Sequence, residues 1–361
     1  MARLGDVGAI ITGNTPKTSD NRNYSSDDIC FIKPSDIDDN ELTNLCDSEY
    51  YISEYARSKA RILPAYSVLV TCIGIVGKVG INVSECAFNQ QINAIIPDTQ
   101  KCTCRYLAYA IQHAKPKLQS VANAPVVPIL NKSQFSDIEI PLPSLVEQRK
   151  IAAVLDKVSD LIDKRHQQLD KLDLLVKSKF VEMFGDCYTN PYNLPILKWS
   201  DVFNTTTGKL DSNAAAENEK YPFFTCSKEI LRIDAWAFDQ EALLLAGNNA
   251  AGKYDVKYYK GKFNAYQRTY VLSLKKNWSY SLFRFQLEDK LKYLEQQSLG
   301  GLTKYLTLKI LNELEFIIPS SEEQNEFADF VEQVEKSKAT IQQSLAKLET
   351  LKKALMQEYF G

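Results

Sequence analysis

The feature that most constrains this 361-residue chain is that it repeats itself. Slid by 176 positions, Pro143-Ser144-Leu145-Val146-Glu147-Gln148 falls on Pro319-Ser320-Ser321-Glu322-Glu323-Gln324. Leu169, Leu172 and Lys177 fall on Leu345, Leu348 and Lys353, and Glu182, Phe184 and Gly185 on Glu358, Phe360 and Gly361. Across 143–185 there are 15 identities in 43 positions. A looser match at a shift of 175 sets Gly77-Lys78 on Gly252-Lys253 and Phe88-Asn89 on Phe263-Asn264. A third, at 195, sets Asp6-Val7 and Gly13 on Asp201-Val202 and Gly208, so the first copy carries 195 − 175 = 20 extra residues, within 20–65. Self-similarity at a fixed shift is the signature of a duplicated architecture. The chain reads as two globular units, each followed by a helical segment.

Each helical segment is approached by extended, proline-marked chain, Ile138-Glu139-Ile140-Pro141-Leu142-Pro143 and Phe316-Ile317-Ile318-Pro319, because proline biases the residue before it away from the helix. Ser144…Glu147 and Ser320…Glu323 then spell a capping box, in which each side chain satisfies a helix-start amide. Apolar residues follow at alternating spacings of three and four: Leu155, Val158, Ile162, Leu169, Leu172 and Val176, then Val331, Val334, Ile341, Leu345, Leu348 and Leu355. That heptad pattern predicts a coiled-coil seam. Basic residues interrupt it at Arg165, Lys179, Lys338 and Lys352, and the interruptions do not coincide: Arg165 holds the place of Ile341, and Lys179 that of Leu355. Both segments end at Phe-Gly, where glycine is the favoured residue after a helix. Residues 147–185 make roughly 58 Å of helix at 1.5 Å per residue. The first helix leads from one unit to the other, so the second is expected to return antiparallel to it, around a pseudo-twofold. Pairing of the seams between separate chains is the alternative.

Self-sufficient chemistry is hard to find. Gly247-Asn-Asn-Ala-Ala-Gly252-Lys253-Tyr254 nearly spells a phosphate-binding loop, but Tyr254 stands where a hydroxyl on a helix's first turn is needed, and strand-like residues follow. Asn190-Pro191-Tyr192 lacks one proline of the N-P-P-[YF] motif of amino-methyltransferases and reads as a turn. Eight cysteines are scattered without a C-x-x-C pair, and His113 and His166 are the only histidines, so neither a zinc site nor a His-based triad is expected. The cysteines read as reduced thiols in a reducing compartment. No stretch approaches the ~20 apolar residues of a membrane span, and an acid at Asp6 argues against a signal peptide, which makes the cytoplasm the default.

The globular units read as strand-rich, with helices at Tyr106–Ile111 and Ser281–Leu294 and strands at Val68–Val70, Ile92–Ile96, Leu243–Leu245 and Tyr270–Leu274. The net charge of 43 − 45 = −2 is not that of a chain holding nucleic acid by bulk charge. Locally the balance differs: residues 187–318 carry 17 basic and 14 acidic groups, against 13 and 15 in 1–140. Lys253, Lys257, Lys260 and Arg268 interleave with Tyr254, Tyr258 and Tyr266. Lysine and arginine neutralise phosphates, while asparagine, glutamine and arginine read base edges. Asn89-Gln90-Gln91 and Asn264-Ala265-Tyr266-Gln267-Arg268 supply such amides at matched places. Polar loops at Asn14-Thr15-Pro16-Lys17 and Lys33-Pro34-Ser35-Asp36, the latter matched by Thr225-Cys226-Ser227-Lys228, complete the candidate surface.

These residues carry a resemblance. Leu4-Gly5-Asp6-Val7…Thr12-Gly13-Asn14-Thr15-Pro16, Phe31-Ile32-Lys33-Pro34-Ser35-Asp36-Ile37, Phe88-Asn89-Gln90-Gln91-Ile92-Asn93 and the twice-occurring proline–Glu-Gln–helix–Phe-Gly module resemble the specificity subunit of type I restriction–modification enzymes, over essentially the whole chain. One departure is Trp199-Ser200-Asp201 in place of Leu4-Gly5-Asp6. The resemblance implies two α/β (α+β) target-recognition domains, at 1–142 and 187–318, and two antiparallel conserved spacer helices, at 143–186 and 319–361. It implies that each domain reads one part of a bipartite double-stranded DNA target. It further implies that the helices bind two methyltransferase subunits and that restriction/translocase subunits join them. Methyl donor, ATP and Mg would all sit on partners, leaving this chain non-catalytic and without a cofactor or metal of its own. The family does not say which residues read bases. The loops above nominate Thr15, Lys17, Lys33, Ser35, Lys78, Asn89, Gln91, Lys209, Ser227, Lys228, Lys253, Lys257, Lys260 and Arg268 as DNA contacts. The other reading is a two-headed coiled-coil scaffold without DNA specificity.

Overall fold

The computed structural model describes residues 1–122, 127–216, 219–250, 252–301 and 303–361. The chain forms two compact units, Met1–His166 with Gln343–Gly361, and Gln167–Gln342. The division runs through both long helices, Leu145–Phe184 and Ser321–Phe360. Unit 1 therefore holds the start of the first helix and the end of the second, and unit 2 holds the reverse. Within each unit, a helix beginning packs beside a helix end, which is antiparallel pairing.

In unit 1 a five-stranded sheet runs Gly8–Thr12, Ile92–Pro97, Val68–Thr71, Val79–Asn82, Thr43–Leu45, antiparallel except for the last pair. A four-stranded sheet, Tyr51–Ile52, Ile29–Ile32, Cys86–Phe88, Ile62–Leu63, lies beside it in the chain. The helix Cys104–His113 buries Tyr106, Leu107, Tyr109 and Ile111 in one core with Val68, Val70 and Ile95 of the sheet. Ile151 and Leu155 of the first long helix and Phe360 of the second complete that core.

Unit 2 joins the same parts into one six-stranded sheet: Phe203–Thr207, Thr269–Leu274, Phe238–Ala246, Val256–Ala265, Tyr221–Phe224, Leu231–Ile233. The strand Val256–Ala265 does alone what Val79–Asn82 and Cys86–Phe88 do separately in unit 1. The residues expected as strands all lie in strands. The helix expected over 281–294 is instead two, Tyr280–Asp289 and Leu291–Gln297. The chain turns at Lys290, whose N–H bonds Leu287 O and whose buried ammonium stands 4.8 Å from the Tyr188 ring centroid.

A shared skeleton ties each globular part to its long helices. Ala2–Arg3 pairs with Glu139–Ile140, and Ile196–Lys198 with Glu315–Ile317. Leu4 N–H donates to Ile138 O (2.9 Å) and Trp199 N–H to Leu314 O (3.0 Å), so the departure at Trp199 keeps the backbone contact. Beside each helix start sits a buried glutamine. Gln148 Oε1 accepts from Thr103 N–H (2.9 Å) and its Nε2 donates to Pro143 O (2.9 Å). Gln324 does the same with Ser279 N–H (3.1 Å) and Pro319 O (2.9 Å). An amide has donor and acceptor on one side chain, so it can satisfy a helix-start N–H and a loop carbonyl at once.

The heptad seam is visible in the burial. Leu155, Val158, Ile162 and Val334 are buried, and Leu169, Leu172, Val176, Val331, Ile341, Leu345, Leu348 and Leu355 are half-buried. Off the seam, Leu161, Leu174, Leu175 and Leu351 are exposed. The basic interruptions find carboxylates: Lys179 reaches Glu326 (3.5 Å), Lys338 reaches Asp173 (2.7 Å), and Lys352 pairs with Glu41. Among the described residues no helix is long and apolar enough to cross a membrane.

Candidate nucleic-acid interface

The same backbone crossing is built in both units. In unit 1 the strand Gly8–Thr12 runs into Gly13, whose N–H donates to Ile92 O (3.0 Å) and which lies against the Phe88 and Asn89 carbonyls. A Cβ there would come within 2.0 Å of Asn89 O, so only glycine fits. In unit 2 Gly208 takes the same place, with its N–H toward Thr269 O (3.4 Å), and a Cβ would fall 1.7 Å from Ala265 O.

The segment that each glycine touches is a tight turn. Ile92 N–H bonds Asn89 O (3.2 Å), with Gln90 and Gln91 at the turn's centre; Thr269 N–H bonds Tyr266 O (2.8 Å), with Gln267 and Arg268 at the centre. Cys72 N–H donates to Gln91 O, and Gly247 N–H to Arg268 O, each at 2.8 Å. These contacts equate Gln90 with Gln267 and Gln91 with Arg268. The sequence match at 175, which set Asn89 on Asn264, is off by two residues here, because the continuous strand Val256–Ala265 of unit 2 spans what unit 1 breaks at 83–85.

Around the unit 1 turn, loops converge. Thr15 Oγ1 donates to Gln90 Oε1 (2.6 Å), Asn14 Nδ2 to Lys59 O (2.7 Å), and Arg61 N–H to Asn14 Oδ1 (2.8 Å). The Arg61 guanidinium bonds Thr12 O. Lys59 and Arg22 hold Asp20 between them, and both cations lie over the Tyr55 ring. Hydrogen bonds from Arg22 and then Lys59 keep the Asp20 carboxyl well below the usual range. Lys17 is exposed at the edge of this face.

Several nominated residues are committed inside the fold. Lys78, expected at phosphate, instead donates to Pro34 O (3.2 Å) and Ile37 O (2.8 Å), stapling the Lys33–Asp36 loop from beneath. Lys257 does likewise in unit 2: it bonds Ser227 O (2.8 Å) and the Asp255 carboxylate, and its side chain is 13% exposed. Asn89 is buried, its Nδ2 on Gln91 Oε1 (2.9 Å) and its Oδ1 accepting from Gln91 N–H (3.1 Å), so both amides face each other across the turn. Both lysines and both amides carry residue types that nucleic acid attracts, and the loops they hold claim them first. Lys33 lies with its ammonium 3.0 Å from the Tyr50 ring centroid. Lys260 is exposed and pairs with Glu241 (3.1 Å). Ser35, Lys209, Ser227, Lys228, Lys253 and Arg268 are exposed.

Gln90, Gln267, Arg61 and Lys59 also lie around these turns, outside the residues that the sequence nominates one by one. The signal for the two glutamines was present, since both stand one residue before a nominated position. Burial holds the thiols of Cys72 at about 11 and of Cys86, Cys102 and Cys104 at about 12, far from the range of a nucleophile. Among the described residues no group of three or more His, Cys, Asp or Glu is placed to hold a metal. The Gly247–Tyr254 stretch leads into a strand; Ala251 within it lies outside the described residues.

The model of the type I restriction modification DNA specificity domain matches residues 1–174 and 195–350. The chain is 35% identical over 173 residues to the type I restriction enzyme EcoDI specificity subunit of Escherichia coli, covering 46% of this chain and 37% of that protein. It is 35% identical over 164 residues to the HindI specificity subunit of Haemophilus influenzae, covering 44% and 35%. The chain thus spans less than half the length of these curated relatives. A crystal structure of a type I restriction-modification S subunit from M. genitalium superposes with a TM-score of 0.64 at 13% identity, covering 99% of this chain and 95% of that one. That likeness is one of fold.

Proposed function

Because the chain belongs to the type I restriction modification DNA specificity family, we propose that it is the non-catalytic DNA-recognition subunit of such a system. Each globular domain reads one half of a bipartite double-stranded target. The long helices dock two methyltransferase subunits, and restriction/translocase subunits join through them. Methyl donor, ATP and Mg belong to those partners, and the complex works in the cytoplasm.

The observation that carries this reading is the duplicated face: the same glycine crossing and glutamine-bearing turn occur once per unit. A protein that reads two half-sites needs one such face for each. Exposed cations beside it, Lys17 in unit 1 and Lys209 and Arg268 in unit 2, suit the phosphate contacts that fix register. The uncovered Leu161, Leu174, Leu175 and Leu351 on the long helices suit a partner helix.

The test is to express the chain with its methyltransferase subunits and map modified bases across the host genome. A single bipartite motif is expected, absent without this chain. Modification without a motif, or with a motif that persists when the chain is removed, would reject the proposal.

A further inference from the structure

Gln90 and Gln267 are related by five matched backbone features: the glycine crossing, the turn-closing hydrogen bond, the carbonyl of the next residue accepting at 2.8 Å, the strand that follows and the strand partner of that strand. Both side chains are exposed, although their neighbours Asn89, Ile92 and Thr269 are buried. Each is also held by a side chain from the loop after its glycine. Thr15 Oγ1 donates to Gln90 Oε1 at 2.6 Å, and Gln267 Nε2 donates to Asp211 Oδ2 at 3.3 Å. An exposed glutamine otherwise loses rotamer freedom when it binds; one already tethered has less to lose.

From this geometry we propose that Gln90 and Gln267 are the base-reading side chains of their two units, one per half-site, and that each selects adenine. The proposal rests on the DNA-recognition reading above. The chemistry follows from what each tether leaves open. Thr15 takes one lone pair of Gln90 Oε1, leaving the second lone pair and both N–H groups. Asp211 takes one N–H of Gln267, leaving its other N–H and the whole carbonyl. Both therefore keep at least one donor and one acceptor on the same amide. In the major groove adenine presents N6–H₂ beside N7, the pair that a glutamine amide meets with two hydrogen bonds. Thr15 and Asp211 are positioning residues. The turn partners Gln91 and Arg268 divide otherwise: Gln91 is folded back onto Asn89, whereas Arg268 is exposed and suits phosphate.

The experiment uses the chain assembled with its methyltransferase subunits and a plasmid library randomised across both half-sites, read by modified-base sequencing. Gln90→Ala is expected to lower the preference for adenine roughly tenfold at one position of one half-site, leaving the other half-site unchanged. Gln267→Ala is expected to do the converse. Gln90→Glu, which can still accept from Thr15 but has no donor for N7, should match the alanine variant. Unaltered consensus sequences in these variants would overturn the inference while leaving the recognition reading intact. So would an equal loss across all sequences, the mark of a phosphate contact. A wild-type complex with no consensus would overturn both. Matching thermal melts of wild type and variants would show that the turn still folds.

Discussion

The two units fasten their domain helix to the long helices by different chemistry at the same positions. In unit 1, Arg105 and Tyr109 of the helix Cys104–His113 reach Asp156 on the first long helix, at 3.2 and 2.8 Å. A shift of 176 lands on Ser281, Phe285 and Glu332; among the described residues Glu332 pairs instead with Lys336 (2.5 Å). Phe285 instead stacks on Phe180 at 4.4 Å, with Phe327 edge-on to both and Phe184 against Phe180. The helix positions are conserved while directional polar contacts are exchanged for aromatic packing. The cleft beside this joint differs too. In unit 2 it measures about 850 Å³, lined by Asp173, Val176, Lys177, Glu288 and Lys338 among others. In unit 1 the matching Glu349, Lys352, Lys353, Gln112 and Ile162 line about 480 Å³, together with Asn40 and Glu41. Those two belong to the stretch that makes the first copy longer. Lys115 holds Asp39 (2.9 Å), Gln112 holds Asn40 O (2.9 Å) and Lys352 holds Glu41.

The largest effect that would sharpen this contrast comes from Phe180→Ala. The side chain is 2% exposed and touches three rings. Removing it should destabilise unit 2 by about 3–5 kcal/mol, the cost of a buried phenylalanine. The matched Met356 of unit 1 is half-buried, and Met356→Ala should cost clearly less. Urea unfolding followed by hydrogen exchange in each unit measures both. Equal losses would show that the aromatic cluster adds nothing beyond ordinary packing.

Next in size are Gln148→Ala and Gln324→Ala. Each leaves a helix-start N–H and a loop carbonyl unpaired in a dry site, at roughly 1–3 kcal/mol. Gln148 also donates to Lys101 O (2.9 Å), a bond that Gln324 lacks among the described residues, so its loss should be larger by about 1 kcal/mol. If both variants melt with wild type, the twin clamp is not what anchors the helix starts.

How much of this was legible in the sequence follows from range. The heptads and extended approaches are local patterns that appear where the spacing puts them; the Ser320–Glu323 capping box closes both ways, whereas at Ser144–Glu147 the described residues show only the Glu147 N–H to Ser144 Oγ half (3.3 Å). The duplication predicted a twin for each part, including the loop pair Lys33–Asp36 and Thr225–Lys228. What the sequence could not give was competition for side chains. Lys78 and Lys257 look like phosphate contacts until the carbonyls they staple are known, and Asn89 looks like a base reader until Gln91 is seen folded against it. The two-residue slip at the Gln90 turn had the same origin: Phe-Asn recurs in both halves, but the strand break that shifts it is a long-range event.

A smaller effect should separate the polar joint from its aromatic counterpart. Tyr109 is 1% exposed and its hydroxyl donates to Asp156 Oδ1. Tyr109→Phe should cost about 1 kcal/mol, since Asp156 keeps Arg105. The matched Phe285→Tyr would set its hydroxyl beside the Phe180 ring cluster rather than on a carboxylate and should gain nothing. A thermal melt of the pair tests this, and stabilisation by Phe285→Tyr would mean that Glu332 already reaches the joint.

The smallest effect is one of pH, and it lies in the seam. Lys338 stands where the first helix has Ile162, with its side chain 18% exposed, 2.7 Å from Asp173 and 3.1 Å from Glu335. Burial works against its charge, yet the hydrogen bonds to Asp173 and Glu335 prevail and raise its pKa above the usual lysine value. The charged form is thus favoured in the folded state relative to the unfolded. For a raised lysine the stabilisation is complete below the unfolded pKa, about 10.4, and disappears as pH climbs through the higher folded value. At neutral pH, Lys338→Met in an Asp173→Asn background should therefore differ from Lys338→Met alone by less than the wild-type pair does from Asp173→Asn, with a coupling of about 0.5–1 kcal/mol. The coupling should be flat from pH 7 to 10 and shrink above that. Ile162→Val, at the matched seam position in unit 1, should show a stability loss that does not vary over the same range, because no titrating group is removed. A coupling at Lys338 that falls between pH 6 and 9 would assign the seam's pH response to another group. Glu288, whose carboxyl is raised by burial and which lines the same cleft, would be the first to examine.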